Sequence, residues 1–159
     1  MNEYRLVQVA DVHLGDGQEH HLDNWNKVID WIARERPDIV VANGDLIMSD
    51  PDTETDYAFA RTQFDRLPVA CRYLPGNHDI GDNIVAGSMP KRIDDARRER
   101  FIRHFGEERW SFEAAGWGFA GINSQWLGSN GHPAEAAQWQ WLGQVPMFQH
   151  QEMPPHYQH

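Results

Sequence analysis

Three short clusters of acidic, amide and histidine residues interrupt apolar stretches in the first half of the chain. They are Asp11-Val12-His13, Asn43-Gly44-Asp45 and Gly76-Asn77-His78-Asp79. Their side chains offer carboxylate oxygens, imidazole nitrogens and an amide oxygen, donors that hold borderline divalent cations. On an extended backbone, residues two apart project to the same side, so Asp11 and His13 present one oxygen and one nitrogen to a single cation. Gly44 permits a tight turn before Asp45. The two oxygens of Asp45 suffice to bridge cations about 3.5–4 Å apart, and Asn77 supplies a neutral oxygen to the second. Mn, Fe, Zn or Co suit this mixed donor set better than ions that prefer thiolates. Each cluster alone also has a plain structural reading: Gly-Asn-His-Asp as a turn, and Asp11 or Asp45 as helix caps. Three clusters in order, each closing an apolar run, carry the metal reading.

The elements that position them follow from periodicity. Residues 6–10 form a short apolar run interrupted only by Gln8, which predicts a strand. Leu22, Trp25, Val28, Ile29 and Ile32 recur at helical spacing, and Pro37 closes that helix. Ile39, Val40, Val41 and Ala42 read as a strand buried on both faces. Tyr57, Ala60, Phe64 and Leu67 mark a second helix closed by Pro68, and residues 69–74 a third strand. This alternation is an α/β pattern with right-handed crossovers, and ligands bind outside the carboxyl ends of such strands. Beyond it lie a loop at 81–90, an Arg-rich helix at 93–105 stopped by Gly106, a hairpin at 110–114 and 117–122 around Ala115-Gly116, and a helix at 133–142.

Composition bounds the function classes. The chain has 159 residues, 14 Lys+Arg against 24 Asp+Glu and a net charge of −10. That balance argues against a general nucleic-acid groove, which needs clustered cations. With a single cysteine, Cys71, no disulfide framework is possible within the chain. No signal-like start and no apolar run of membrane-spanning length is present, so a cytoplasmic protein with no membrane partner is expected. The basic residues Arg97, Arg98, Arg100 and Arg103 read as a solvated helix face with Ile93, Phe101, Ile102 and Phe105 turned inward, the alternative being an arginine on a phosphate. The seven tryptophans read as packing rather than a stacking pocket, His20 and His21 as exposed, and Cys71 as a small buried residue.

The three clusters, their order and the intervening helices resemble the calcineurin-like metallophosphoesterase superfamily. The likeness is strongest over residues 4–80 and continues to about residue 142 through Phe105-Gly106, Ile122-Asn123-Ser124 and Gln138. The resemblance implies an αββα sandwich, here incomplete, with one sheet and part of the second. It implies two divalent ions, with Asp11, His13 and Asp45 on the first, Asp45 bridging, and Asn77 on the second. It implies hydrolysis of a small phosphoric mono- or diester by a metal-activated hydroxide, with His78 at the leaving-group oxygen, not on the metal, and oriented by Asp79. Leu46-Ile47-Met48 after Asp45 and Asp79 after His78 depart from the serine/threonine phosphatase pattern, and Met48 stands where purple acid phosphatases place a tyrosine. The phosphodiesterase-type branch remains.

The family completes its site with a single histidine and a Gly-His-x-His pair that have no counterpart here; Gly131-His132-Pro133-Ala134 lacks the second histidine. His150, His156 and His159 fall in an irregular tail, and whether they ligate stays open. The expectation is therefore an N-terminal part of such a domain, residues 1–142, followed by a tail at 143–159, from a truncated or frame-shifted reading frame. Its uncovered apolar surface would favour self-association. The alternative function is a non-catalytic metal- or phosphate-binding remnant of the same fold.

Overall fold

The computed structural model describes residues 3–17 and 19–146. Strand β1 (Leu6–Val9) leads to helix α1 (Glu19–Glu35), β2 (Ile39–Asn43), α2 (Glu54–Phe64) and β3 (Cys71–Leu74). The strands pair in parallel in the order β1-β2-β3, with Val9 opposite Ala42 and Asn43 opposite Leu74. Central β2 is buried from Ile39 to Ala42, as its unbroken apolar run requires. All three strands therefore end at one edge of the sheet.

A short helix α3 (Asn77–Ile80) follows β3, then α4 (Asp95–Phe105), the antiparallel pair β4 (Trp110–Ala114) and β5 (Trp117–Gly121), and α5 (Pro133–Gln144). The hairpin turns on Ala115 and Gly116, both at positive φ (51° and 81°), the two-residue loop that matches strand twist. Asp94 caps α4 by accepting from the Arg97 amide at 2.8 Å, and Gly106 at φ 90° ends it.

One apolar cluster joins the layers. Trp25 and Ile29 of α1, Tyr57, Ala60 and Phe64 of α2, and Phe101 and Phe105 of α4 pack with Ala42 and Tyr73 of the sheet. Each large side chain so buried contributes about 1.5–3 kcal/mol. Leu14, Leu46, Ile47 and Ile80, the residues between or beside the chemical clusters, are each 0% exposed and belong to the same cluster. The loops that carry the polar residues are thus nailed to the core by their apolar neighbours.

Boundaries differ from the sequence expectation in three places. Helix α1 starts early enough to contain His20 and His21, and His21 is half-buried rather than exposed. Helix α2 stops at Phe64, so Leu67 packs from a turn, and β3 starts only at Cys71. Cys71 itself is half-buried against the core, and burial pushes its thiol up to about 12, leaving it unreactive.

The arginines of α4 are paired rather than merely solvated. Arg97 contacts both oxygens of Asp52 at 3.0 Å, Arg100 and Arg103 reach Glu54, and Arg98 pairs with Glu108. Arg97, Arg100 and Arg103 strap α4 to the start of α2 and to the last residues of the loop before it, while Arg98 holds Glu108 just beyond α4. Hydrogen bonds from Arg97 and Lys91 hold the Asp52 carboxyl below its ordinary value of 3.8, and His104 does the same for Glu54. A depressed carboxyl stabilises the fold above its unfolded value and loses that contribution as pH falls through the folded one. Melting between pH 7 and 3 should show Tm falling below about pH 4, with a shallower fall in Asp52→Asn; because these side chains are about half exposed, the difference is small.

Candidate metal centre

The backbone between the strands and the clusters is held by a continuing ladder. Asp11 N–H donates to Gly44 O at 3.1 Å, His13 N–H to Asp45 O at 3.0 Å, and Gly44 N–H to Leu74 O at 3.0 Å. Within this ladder Asp11, His13 and Asp45 sit at φ 54°, 46° and 53°. The extended backbone expected for Asp11 and His13 is therefore corrected: both are left-handed. Left-handed non-glycine residues cost about 1–2 kcal/mol each and persist where surrounding structure over-determines them, as at functional sites. Here the over-determination comes from the flanking amide bonds and from buried Leu14, Leu46 and Ile47.

The side chains converge nonetheless. Ligating atoms of His13, Asp45 and His78 lie within 4.8 Å of one another. His13 Nε2 is 3.8 Å from Asp11 Oδ1 and 4.0 Å from Asp45 Oδ2. Asp11 stands at the rim, its side chain 72% exposed, while Asp45 is 15% exposed. The sequence reading keeps His78 off the ligand set, yet the structure packs its ring edge against His13, centroids 4.7 Å apart. Asn77 opens α3, with its amide nitrogen 2.6 Å from Met89 Sδ, which leaves its carbonyl oxygen free of that contact. A cavity of about 440 Å³ adjoins the site; Asp11, Asp45 and Asn77 line it, with Ile122, Ser124 and Gln125, while His13 and His78 do not.

The residues present fit a divalent cation. The donors are oxygen and imidazole nitrogen from strand-end loops, a set suited to Mn, Fe, Zn or Co. His13 Nδ1 is buried with no hydrogen-bond partner among the described residues, an oddity for a ring that only packs.

Asp79 does not orient His78. The His78 ring is anchored through Nδ1, 2.8 Å from the Met48 carbonyl oxygen, and its amide donates to Asp45 Oδ1 at 3.0 Å. Asp79 is 0% exposed and accepts from the amides of Leu46 (2.8 Å), Ile47 (3.0 Å) and Gly76 (2.8 Å), while Tyr57 donates to its carbonyl. It bolts the loop after β2 to the loop after β3. Burial pushes its carboxyl up to about 7, the three amides pull the other way, and the Asp45 charge adds to the rise. The Gly76-x-x-Asp79 spacing, half of a capping box, is the sequence signal for this role. Met48, whose carbonyl does the orienting, carries no such signal because only its backbone acts.

Gly76 allows the two loops to touch. A Cβ there would fall inside contact distance of Asp45 Oδ1 and 2.5 Å from Asp45 N. Gly76→Ala should displace Asp45 and cost up to about 100-fold in metal-dependent turnover, the scale of an ångström of misplacement. Metal titration followed by calorimetry should weaken in parallel; unchanged binding would show that the Asp45 loop yields without loss.

Among the described residues, no arginine of α4 lines either of the two cavities beside the strand-end loops, and Trp25 is the one tryptophan that does. Trp25 and Trp126 are buried in the core, and Trp117 is 72% exposed. His150, His156 and His159 lie outside the described residues.

Comparison with known proteins accords with this architecture. A family model described as calcineurin-like phosphoesterase matches residues 4–157. Among solved structures, a dimetal phosphatase from Danio rerio superposes with a TM-score of 0.55 at 15% identity. The match covers 89% of this chain and 52% of that one, so the chain spans about half the length of this structural relative. No curated protein matches. The parallel sheet with flanking helices is thus a fold this chain shares with a metal-bearing phosphatase.

Proposed function

The chain belongs to the calcineurin-like phosphoesterase family, and on that premise we propose that it hydrolyses phosphoric mono- or diesters at a binuclear metal centre. The observation that carries this reading is His13 Nε2 lying 3.8 Å from Asp11 Oδ1 and 4.0 Å from Asp45 Oδ2, with His78 beside that pair and a cavity large enough for a small ester lined by Asp11, Asp45 and Asn77. Asp11, His13 and Asp45 would hold one ion, with Asp45 shared to a second taken by the Asn77 amide oxygen. Divalent ions bound there supply Lewis acidity toward phosphoryl oxygens and hydroxide at neutral pH.

The chain's own residues do the rest. The Met48 carbonyl keeps a proton on His78 Nδ1, so ring orientation survives any change at Nε2. In its protonated form His78 gives the Nε2 proton to the departing oxygen, as a general acid. Asp79 keeps the two loops, and so Asp45 and His78, at fixed separation. Ile122, Ser124 and Gln125, which line the same cavity, would contact a bound ester. Diesters are the first class to test, given the departures from the phosphatase branches after Asp45.

The exposed carboxylate of Asp11 favours a second reading, a metal- or phosphate-binding protein without turnover. Assays on bis(p-nitrophenyl) phosphate and p-nitrophenyl phosphate with Mn²⁺ separate the two. Turnover is expected, falling about 100-fold in His78→Ala. Absent or equal turnover in parent and variant, with Mn²⁺ still bound, would leave the binding reading.

A further inference from the structure

Beyond the larger cavity lies a second one, of about 190 Å³, on the α1 side of the same loop. Asp11 lines both cavities; His21, Asn24, Trp25 and Val28 supply most of the remaining wall of the second. His21 stands in the first turn of α1, half-buried, its ring perpendicular to that of His13 at 74° and 6.1 Å between centroids. His13 therefore has two imidazole neighbours, His78 and His21. His20, its neighbour, is exposed and meets only His21, at 5.8 Å.

We propose that His21 is a further ligand of the ion held by Asp11, His13 and Asp45, delivered by helix α1 rather than by a strand-end loop. The inference rests on the metal-centre reading above. An imidazole nitrogen sits about 2 Å from a bound transition metal, so two rings on one ion have centroids about 5–6 Å apart. The His13–His21 separation of 6.1 Å stands just beyond that span, and His21 lies outside the 4.8 Å group of His13, Asp45 and His78, so ligation needs the His21 ring to turn toward the ion. Among the described residues no hydrogen bond engages the His21 ring, so its ligating lone pair is uncommitted. Buried Trp25, one helical turn further on, fixes where α1 can place it. Two carboxylates and one imidazole are a set that Mg²⁺ and Mn²⁺ accept readily; a second imidazole shifts preference toward Zn²⁺, Co²⁺ and Fe²⁺.

Co²⁺ is the probe, because its visible absorption reports ligand number and type without any turnover. In the full chain His21→Gln should weaken Co²⁺ binding about tenfold or more and alter the absorption band, while His20→Gln leaves both as in the parent. Zn²⁺ added to ¹⁵N-labelled chain should shift the His21 ring nitrogens in long-range ¹H–¹⁵N spectra. Parent-like Co²⁺ affinity and absorption in His21→Gln, with melting unchanged, would overturn the inference. His13→Gln keeps the two questions apart: if it too binds Co²⁺ normally, the metal-centre reading itself fails.

Discussion

Asp45→Asn is expected to lower Mn²⁺-dependent hydrolysis of bis(p-nitrophenyl) phosphate by about 1,000-fold while melting, without metal, within a few degrees of the parent. Asparagine is the substitution to use because position 45 is left-handed, at φ 53°, and asparagine tolerates that region better than alanine. The amide oxygen can still accept from the His78 N–H, now 3.0 Å from Asp45 Oδ1. What disappears is the negative charge and the second anionic oxygen, the two properties that allow one side chain to bridge cations. Losing a ligand to both ions should cost more than the 10–100-fold of an outer-shell change, and mispositioned ions add to it. Calorimetric titration should show Mn²⁺ affinity falling with turnover. Parent-like turnover in Asp45→Asn would remove Asp45 from the site altogether.

Asp79→Ala should instead strike the fold. Its carboxylate satisfies three amides, those of Leu46, Ile47 and Gly76, two of them in residues with no exposed surface. Truncation leaves donors buried without partners, each costing about 1–3 kcal/mol, and opens a void beside Ile80 and Tyr57. A total of about 3–5 kcal/mol follows, which for a chain of this length lowers Tm by roughly 10 °C. Asp79→Asn keeps one acceptor oxygen but turns an amide donor toward the backbone amides, so its Tm should fall between those of parent and Asp79→Ala. Thermal melts of the metal-stripped chains test the order. If Asp79→Ala melts like the parent and only turnover falls, Asp79 belongs to the chemistry and not to the scaffold.

These two substitutions separate what is adjacent in sequence-level thinking. Asp45 and Asp79 are both aspartates of motifs that end strands, and both read as site residues. One is turned to the cavity with 15% of its side chain exposed; the other is sealed inside, where burial raises its carboxyl to about 7. Periodicity reports which residues are apolar, and it placed the strands and the longer helices here to within a few residues, whereas α3 read as a turn. It does not report which way a polar residue faces after a turn. The boundary errors have the same origin: Leu67 continues the helical spacing of α2 but packs from a turn beyond Phe64.

The order of Asp11, His13, Asp45 and Asn77 along three strand ends was sufficient, without any coordinates, to indicate the fold class and the family. Local residue types and spacing carry that information because strand, turn and donor chemistry are all short-range properties. Only the tertiary structure decided the rest: the left-handed backbone at Asp11, His13 and Asp45, the anchoring of His78 by a backbone carbonyl, the structural duty of Asp79, and the approach of His21 from α1. Each of these depends on contacts between segments far apart in the chain, and in several the decisive group is a main-chain N–H or C=O that every residue shares. A property common to all residues leaves no mark in the sequence of any one of them.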